Sequence, residues 1–316
     1  MIERCPICCG DSPGGIGHPA CCRRLYGAPV PPDLPYTWEM LNQLAEKVIR
    51  RNVSVPGVQP KLSMHLERSG GPASSGNQRL TLVGMEGGYI LKPPVKAYPG
   101  MPELEHLTLN MAPLFGIETA PCGLIPLEDG QWAFITRRMD REGKNKLHME
   151  DMCQLTDRLT EEKYRGSLEQ VGRAILRFSS NPLLDAARFF DLVLFCFLTG
   201  NADMHLKNFS LLRDPDGMIR LSPAYDLLPT ALLLPEDKEE SALTLNGKKT
   251  RLKCSDFLAL AHALGLPAKT VDRAMERTLA AVPDALAFTE RGFCAPAATQ
   301  AYRELMEERA KRLEMG

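Results

Sequence analysis

The stretch Gly200-Asn-Ala-Asp203-Met-His205-Leu-Lys207-Asn208 sets a carboxylate and a carboxamide five residues apart, with an imidazole and an ammonium between them. That spacing suits phosphoryl transfer. A carboxylate such as Asp203 can orient an attacking hydroxyl and accept its proton. The amide oxygen of Asn208 can hold a metal on a triphosphate, and Lys207 can offset charge on the transferred group. Asp226, in Leu221-Ser-Pro-Ala-Tyr-Asp-Leu-Leu, follows a hairpin after this loop and suits a magnesium that bridges phosphates. The letters D-F-G are absent, since Tyr225 precedes Asp226 and Leu227 follows. Lys92 ends Tyr89-Ile-Leu-Lys, a placement that suits a phosphate-binding ammonium, and the helix after it offers Glu103 and Glu105 as ionic partner. In Ser54-Val-Pro-Gly57-Val-Gln-Pro-Lys61, backbone amides around the glycine can cover phosphates, although neither G-x-G-x-x-G nor a Walker pattern is present. Each piece alone has a plain alternative. D-x-x-x-x-N arises by chance, a lysine after a strand is usually a surface residue, a Gly-Pro loop is usually a turn, and an aspartate after tyrosine is usually a cap. The case rests on all four occurring in this order.

A second constellation lies at the start of the chain. Cys5-Pro-Ile-Cys8 and His18-Pro-Ala-Cys21 form C-x2-C and H-x2-C arms. One imidazole and three thiolates can hold Zn2+ tetrahedrally, as a structural rather than a catalytic ion. The nine-residue gap, rich in Gly and Pro, suits a knuckle-like loop. Cys9 and Cys22 leave the ligand choice open, and the alternative is a reduced-thiol segment that packs without metal. Cys122, Cys153, Cys196, Cys254 and Cys294 are scattered on apolar faces, as in ordinary core use.

The elements that must position these groups follow from periodicity. Met40, Leu41, Leu44 and Val48 predict a helix from Thr37 to Arg51. Leu62, Met64 and Leu66 alternate with Ser63, His65 and Glu67, which predicts a strand. Ser69–Asn77 is a small-residue loop, and Leu80–Met85 and Gly88–Lys92 are further strands. A helix is expected from Glu103 to Phe115, then a hairpin of Pro121–Ile125 and Trp132–Thr136. Beyond Arg141 the pattern is helical: Ser167–Ser179, Leu184–Thr199, Ser255–Leu264, Ala268–Val282 and Pro296–Arg312. Phe209–Leu212 and Met218–Leu221 frame a turn at Asp214-Pro-Asp-Gly217. The expected organisation is a Cys/His-rich head over 1–27, a β-rich lobe over 28–140 with the Gly-rich loop, and a helical lobe over 141–316 with the catalytic loop. That is an α+β, two-lobed, protein-kinase-like outline.

Composition sets outer bounds. With 38 basic and 39 acidic side chains, a formal charge of −1 argues against strong direct DNA binding by this chain. The longest run without a charged residue is twelve, too short for a membrane span, and Met1-Ile-Glu-Arg-Cys lacks the apolar core of a signal peptide. The expectation is a cytoplasmic protein whose ten cysteines are reduced or metal-bound.

From about Val53 to Leu264 the chain resembles the HipA-like serine/threonine kinase toxins of bacterial toxin–antitoxin systems. The resembling stretches are Ser54–Lys61, Tyr89–Pro93, Pro102–Glu105, Leu147–Gln154, Gly200–Ser210, Ser222–Leu228 and Leu243–Lys248. The resemblance implies an ATP- and Mg2+-dependent protein kinase with a β-rich N-lobe and an α-helical C-lobe. In it Asp203 would be the catalytic base, Asn208 and Asp226 the magnesium ligands, and His205 and Lys207 would line the site. Lys92 would bind the ATP phosphates with Glu105 as its partner. Arg137 and Met139 fall where the hinge meets adenine, Met139 standing where an aromatic is often found. Ser54 matches a serine that such kinases autophosphorylate, and the added charge of about −2 would eject the Gly-rich loop and inactivate the enzyme. Pro56 stands where a second regulatory serine is often found.

Only 53 residues precede Ser54, where the longer kinases carry an additional N-terminal subdomain. The resemblance is therefore to the short, HipT-type form. It implies a small antitoxin resembling that subdomain, a helix-turn-helix DNA-binding partner, and an aminoacyl-tRNA synthetase as substrate. Two other readings stay open: a lipid or small-metabolite kinase, and a pseudokinase that serves as a binding module in a repressor complex. Intact Lys92, Asp203, Asn208 and Asp226 argue against the last.

Overall fold

The computed structural model describes residues 3–51, 59–68, 78–83, 87–143 and 145–314. The fold is α+β, and the chain gathers into two compact units. The first comprises Met1–Asn110, Ala120–Arg138 and Arg291–Cys294, and the second Met111–Thr119, Met139–Glu290 and Ala295–Gly316. No helix among the described residues is long and apolar enough to cross a membrane.

The first unit opens with α1 (Pro19–Tyr26) and α2 (Trp38–Arg51). Strands β1 (Leu62–Arg68), β2 (Gln78–Leu82) and β3 (Tyr89–Lys92) follow, then α3 (Met101–Met111), β4 (Cys122–Pro126) and β5 (Trp132–Arg137). The strands form one antiparallel sheet in the order β2-β1-β3-β5-β4. Alternation dictates its faces: Leu62 and Met64 are buried while His65 is exposed. Leu91 pairs with Leu62 on one side and Ile135 on the other, which lays a buried aliphatic row across three strands. Leu25 and Tyr26 of α1 and Leu41 of α2 share the core with Met64, Leu80 and Ile135. Each such aliphatic side chain contributes about 1.5–3 kcal/mol on burial. Cys5 and Ile7 belong to the same core, so the head of the chain is packed on the sheet. Proline at the start of α1 and left-handed Gly27 after it delimit that helix.

After the segment Met111–Thr119, the second unit holds the two-residue strands β6 (Arg141–Glu142) and β7 (Asn145–Lys146), then β8 (Met149–Asp151) and α4 (Met152–Leu155). Helices α5 (Leu168–Phe178) and α6 (Pro182–Leu198) precede β9 (Ser210–Arg213) and β10 (Ile219–Leu221). The chain ends with α7 (Thr230–Leu233), α8 (Cys254–Ala263), α9 (Ala268–Thr289) and α10 (Pro296–Glu314). Ser167 and Gln170 close a reciprocal capping box on α5. Phe189, Phe190, Phe195 and Phe197 bury α6 on nearly every side.

Several boundaries differ from the sequence-based expectation. Helix α9 does not stop at Val282. It continues through Pro283 to Thr289, since Ala281, Val282, Ala285 and Thr289 remain buried and the helix packs on α6 and α10. That packing outweighs the roughly 3 kcal/mol cost of an interior proline. Helix α3 starts ahead of Glu103 and yields to a tight 3-10 turn at Ala112–Phe115. Strand β8 was not anticipated. Three residues cannot display an alternation, and the strand exists through pairing of Met149 with Leu212 and Asp151 with Ser210. Ser54, Gly57, the Ser69–Asn77 loop and Met85 lie outside the described residues.

Candidate active site

In the second unit, α6 delivers the chain to Gly200, whose φ of +69° favours glycine. A Cβ there would lie 2.5 Å from Leu305 Cδ2 and 3.1 Å from Ala231 Cβ. The loop that follows closes on itself. The His205 amide donates to the Asp203 carbonyl at 2.8 Å, and the Asn208 amide donates to the His205 carbonyl at 2.9 Å. The Asn208 side-chain Nδ2 donates to the Asp203 carbonyl at 2.9 Å. Asn201 ties this loop to the next: its Oδ1 accepts from the Asp203 amide at 3.3 Å, and its Nδ2 reaches the Asp226 carbonyl at 3.5 Å. Asp226 sits at φ +58°, uncommon for a residue with a side chain and typical of sites where the surroundings impose the backbone. Tyr225 before it is anchored twice, donating to the Lys207 carbonyl at 2.8 Å and meeting Ser210 Oγ at 2.6 Å.

Two groups from elsewhere in the second unit complete this arrangement. The Tyr164 hydroxyl donates to Asp203 Oδ1 at 3.0 Å, and its ring meets that of His205 edge-on at 5.1 Å. Burial pushes the Tyr164 phenol well above its ordinary value, and the charges of Asp203 and then Asp226 push it further. Both carboxylates thus bear on one neutral hydroxyl. Lys207 Nζ lies 2.6 Å from Asp151 Oδ2. Asp151 also accepts the Gln154 amide at 3.0 Å as the N-cap of α4.

In the first unit, Lys92 at the end of β3 forms a 2.5 Å ion pair with Glu105 of α3. Both side chains are buried, at 4% and 1% exposure. Lys92 Nζ also stands 5.4 Å from the Phe134 ring. Gln59, within the Ser54–Lys61 segment, donates to the Pro93 carbonyl at 3.4 Å, beside Lys92 in sequence. Arg137 is the exposed last residue of β5, and Met139 opens the longest segment of the second unit.

The four residues of the Cys/His pattern converge as well. The ligand atoms of Cys5, Cys8, His18 and Cys21 all lie within 4.8 Å of one another. Among the described residues it is the one such group of three or more His, Cys, Asp or Glu. Burial alone would raise the Cys5 thiol, yet the amides of His18, Ile7 and Cys8 aim at its sulfur and bring it below the usual thiol value.

The structure gathers Asp203, His205 and Asn208 in one loop and links Asp226 to it through Asn201. Sequence reasoning assigned no role to Asp151, Tyr164 or Asn201. Asp151 carried a signal, since D-x-x-Q before an apolar residue is a capping box. Tyr164 and Asn201 carried none that a linear reading could use.

A β-rich unit with a buried Lys–Glu pair and a helical unit with this loop define a kinase-like α+β fold. Solved structures support that fold. The chain matches a HipA structure titled as a complex of HipA, HipB and operator DNA from Shewanella oneidensis, with TM-score 0.64 and 21% identity, covering 86% of this chain and 71% of that one. It also matches the Helicobacter pylori proinflammatory kinase CtkA, with TM-score 0.56 and 17% identity, covering 80% of this chain and 94% of that one. The model of the HipA-like C-terminal domain matches residues 53–286, and the chain belongs to that family. Relatives include a Sinorhizobium fredii protein provisionally named a kinase, 32% identical over 63% of this chain and 49% of its own length. The serine/threonine-protein kinase toxin HipA of Shewanella oneidensis is 27% identical over 74% of this chain and 57% of its own. The chain spans about half the length of the curated relatives it matches.

Proposed function

We propose that the chain is an ATP-dependent serine/threonine protein kinase and the toxin of a bacterial toxin–antitoxin system. The closed loop from Asp203 to Asn208 is the observation that carries this. Asn208 donates its side-chain N–H to the Asp203 carbonyl, which identifies its other amide atom as an oxygen acceptor able to hold a cation. Asp203 orients the attacking hydroxyl and accepts its proton. Tyr164 holds the Asp203 carboxylate, and Asp151 holds Lys207. The amide oxygen of Asn208 and the carboxylate of Asp226 are hard oxygen donors, the kind that fits Mg2+. When bound, that ion neutralises charge on the phosphates. Lys92, held by Glu105, binds ATP phosphates, and Arg137 and Met139 border the adenine.

The regulatory reading rests on chemistry near Lys92. A phosphate on Ser54, carrying a charge of about −2, competes with ATP for the same basic pocket. The substrate we assign is an aminoacyl-tRNA synthetase. The partners are a small antitoxin resembling the N-terminal subdomain of the longer kinases and a helix-turn-helix DNA-binding protein. A relative titled with HipB and operator DNA supports the second of these. The functional division is a head over 1–27, an ATP-binding lobe over 28–140 and a catalytic lobe over 141–316, in the cytoplasm.

The test is intact-mass and peptide spectrometry after incubation with Mg2+ and ATP, with Asp203→Asn as control. Phosphate on Ser54 in the active protein alone is the expected result. Absence of phosphate before and after incubation, together with no nucleotide binding, would replace the kinase with a binding module.

A further inference from the structure

We propose that Cys5, Cys8, His18 and Cys21 bind one Zn2+, and that the resulting knuckle fastens α3, the helix that carries Glu105, to the head of the chain. The spacing of the ligand atoms fits the ion. With Zn–S near 2.3 Å and Zn–N near 2.0–2.1 Å, the edges of a tetrahedron are about 3.5–3.8 Å. Cys8 Sγ lies 3.4 Å and Cys21 Sγ 3.8 Å from His18 Nδ1, and no pair in the set exceeds 4.8 Å. The imidazole is already oriented for ligation. Its Nε2 faces the Asp11 carbonyl at 2.8 Å, so the proton sits there and the Nδ1 lone pair faces the thiols. A backbone carbonyl in that role is how proteins commonly fix a metal-binding histidine. The His18 amide donates to Cys5 Sγ at 3.4 Å, a contact that stabilises a thiolate ligand.

Geometry also resolves the ligand choice. Cys9 lies with its sulfur 3.9 Å from His106 Nδ1, on the side of α3. Cys22 is buried in the core of the first unit. Neither belongs to the convergent set.

The knuckle rests on the elements that hold the Lys92–Glu105 pair. The Pro6 carbonyl accepts the Leu124 amide of β4 at 2.7 Å. Ile7 and Leu25 press on the bare backbone at Gly123, where a Cβ would meet them at 3.2 and 3.0 Å. The Ile7 carbonyl, between the first two ligands, accepts from His106 Nε2 at 3.2 Å. His106 is the residue after Glu105. At the other end, the Tyr89 hydroxyl of β3 donates to the Leu25 carbonyl at 3.0 Å, tying α1 to the strand of Lys92. The ion therefore clamps two arms of the head, and the head braces α3 and β3 together.

The experiment uses the full chain purified without chelator and supplied with zinc sulfate. Native mass spectrometry and elemental analysis are expected to give one zinc per chain. Cobalt replacement is expected to produce the visible bands of a tetrahedral site and a near-ultraviolet thiolate-to-cobalt band. Cys8→Ser and His18→Ala should lose the ion, and Cys9→Ala should keep it. Displacing zinc from the wild-type protein with an organomercurial and a chelator should raise amide hydrogen exchange across 101–111 while leaving 268–289 unchanged. A folded chain that takes up neither zinc nor cobalt overturns the site. Zinc release without faster exchange in α3 overturns the fastening. Metal content and amide exchange are read without phosphotransfer, so their outcome is separate from that of the activity assay.

Discussion

Lys207 and Asp151 are joined by a 2.6 Å ion pair across 56 residues of sequence. The aspartate holds the end of a strand, the cap of a helix and an ammonium of the candidate catalytic loop at once. Asparagine caps a helix as well as aspartate does, so Asp151→Asn removes the charge and keeps the cap. We expect phosphotransfer to fall about tenfold, equivalent to ~1.4 kcal/mol of lost transition-state stabilisation. Stability should change by about 1 kcal/mol or less, because Lys207 is partly solvated. Steady-state kinetics beside a thermal melt check both; an unchanged rate would show that Asp151 does not position Lys207 for the reaction.

The Lys92–Glu105 pair is buried on both sides. Removing one partner strands a charge, at a cost of about 3–5 kcal/mol. Glu105→Leu should therefore unfold the first unit at markedly lower urea. The double variant Lys92→Met, Glu105→Leu should recover most of that stability and none of the phosphotransfer. If the double variant is as unstable as the single one, the cost lies in packing rather than in charge.

Burial holds His106 at a pKa of about 4, against an ordinary value near 6.5. Between those values the unfolded chain binds a proton that the folded chain refuses, so stability falls as pH drops from about 6.5 toward 4. The loss amounts to about 3 kcal/mol at the acid end. His106→Gln should flatten that part of the stability profile, measured by urea titration at successive pH values. An unaltered acid limb would assign the sensitivity to other groups.

Gly200 combines a left-handed backbone with a close approach to Leu305 and Ala231. Gly200→Ala adds both strain and overlap, and we expect a loss of about 1–3 kcal/mol. The loop that follows should shift with it, lowering kcat more than it raises KM. A variant with wild-type kcat would mean that Leu305 yields without moving the loop.

Much of this architecture is legible in the sequence. Leu62, Met64 and Leu66 announce β1 because one face of that sheet is dry. The long apolar run of α6 announces a helix buried almost all round. What is not legible depends on partners distant in sequence. Strand β8 is too short for a pattern and exists only beside β9. Tyr164 reaches Asp203 over 39 residues from a loop with no periodicity of its own. Pro283 reads locally as a stop, and only the neighbours of α9 override it. The Cys/His arms were legible as letters, but only geometry separates Cys8 and Cys21 from the adjacent Cys9 and Cys22.

Phe293 stands between α9 and α10, yet its ring packs edge-on against Trp132 at 5.4 Å and His106 at 5.9 Å, within the first unit. The β-rich unit is thus finished by a residue that is translated well after its last strand. A gene fragment ending near residue 140 would encode all five strands of the sheet and still lack the aromatic lid over two of its side chains. Fragment designs, split reporters and nascent-chain measurements on this protein should count 291–294 as part of the unit made first.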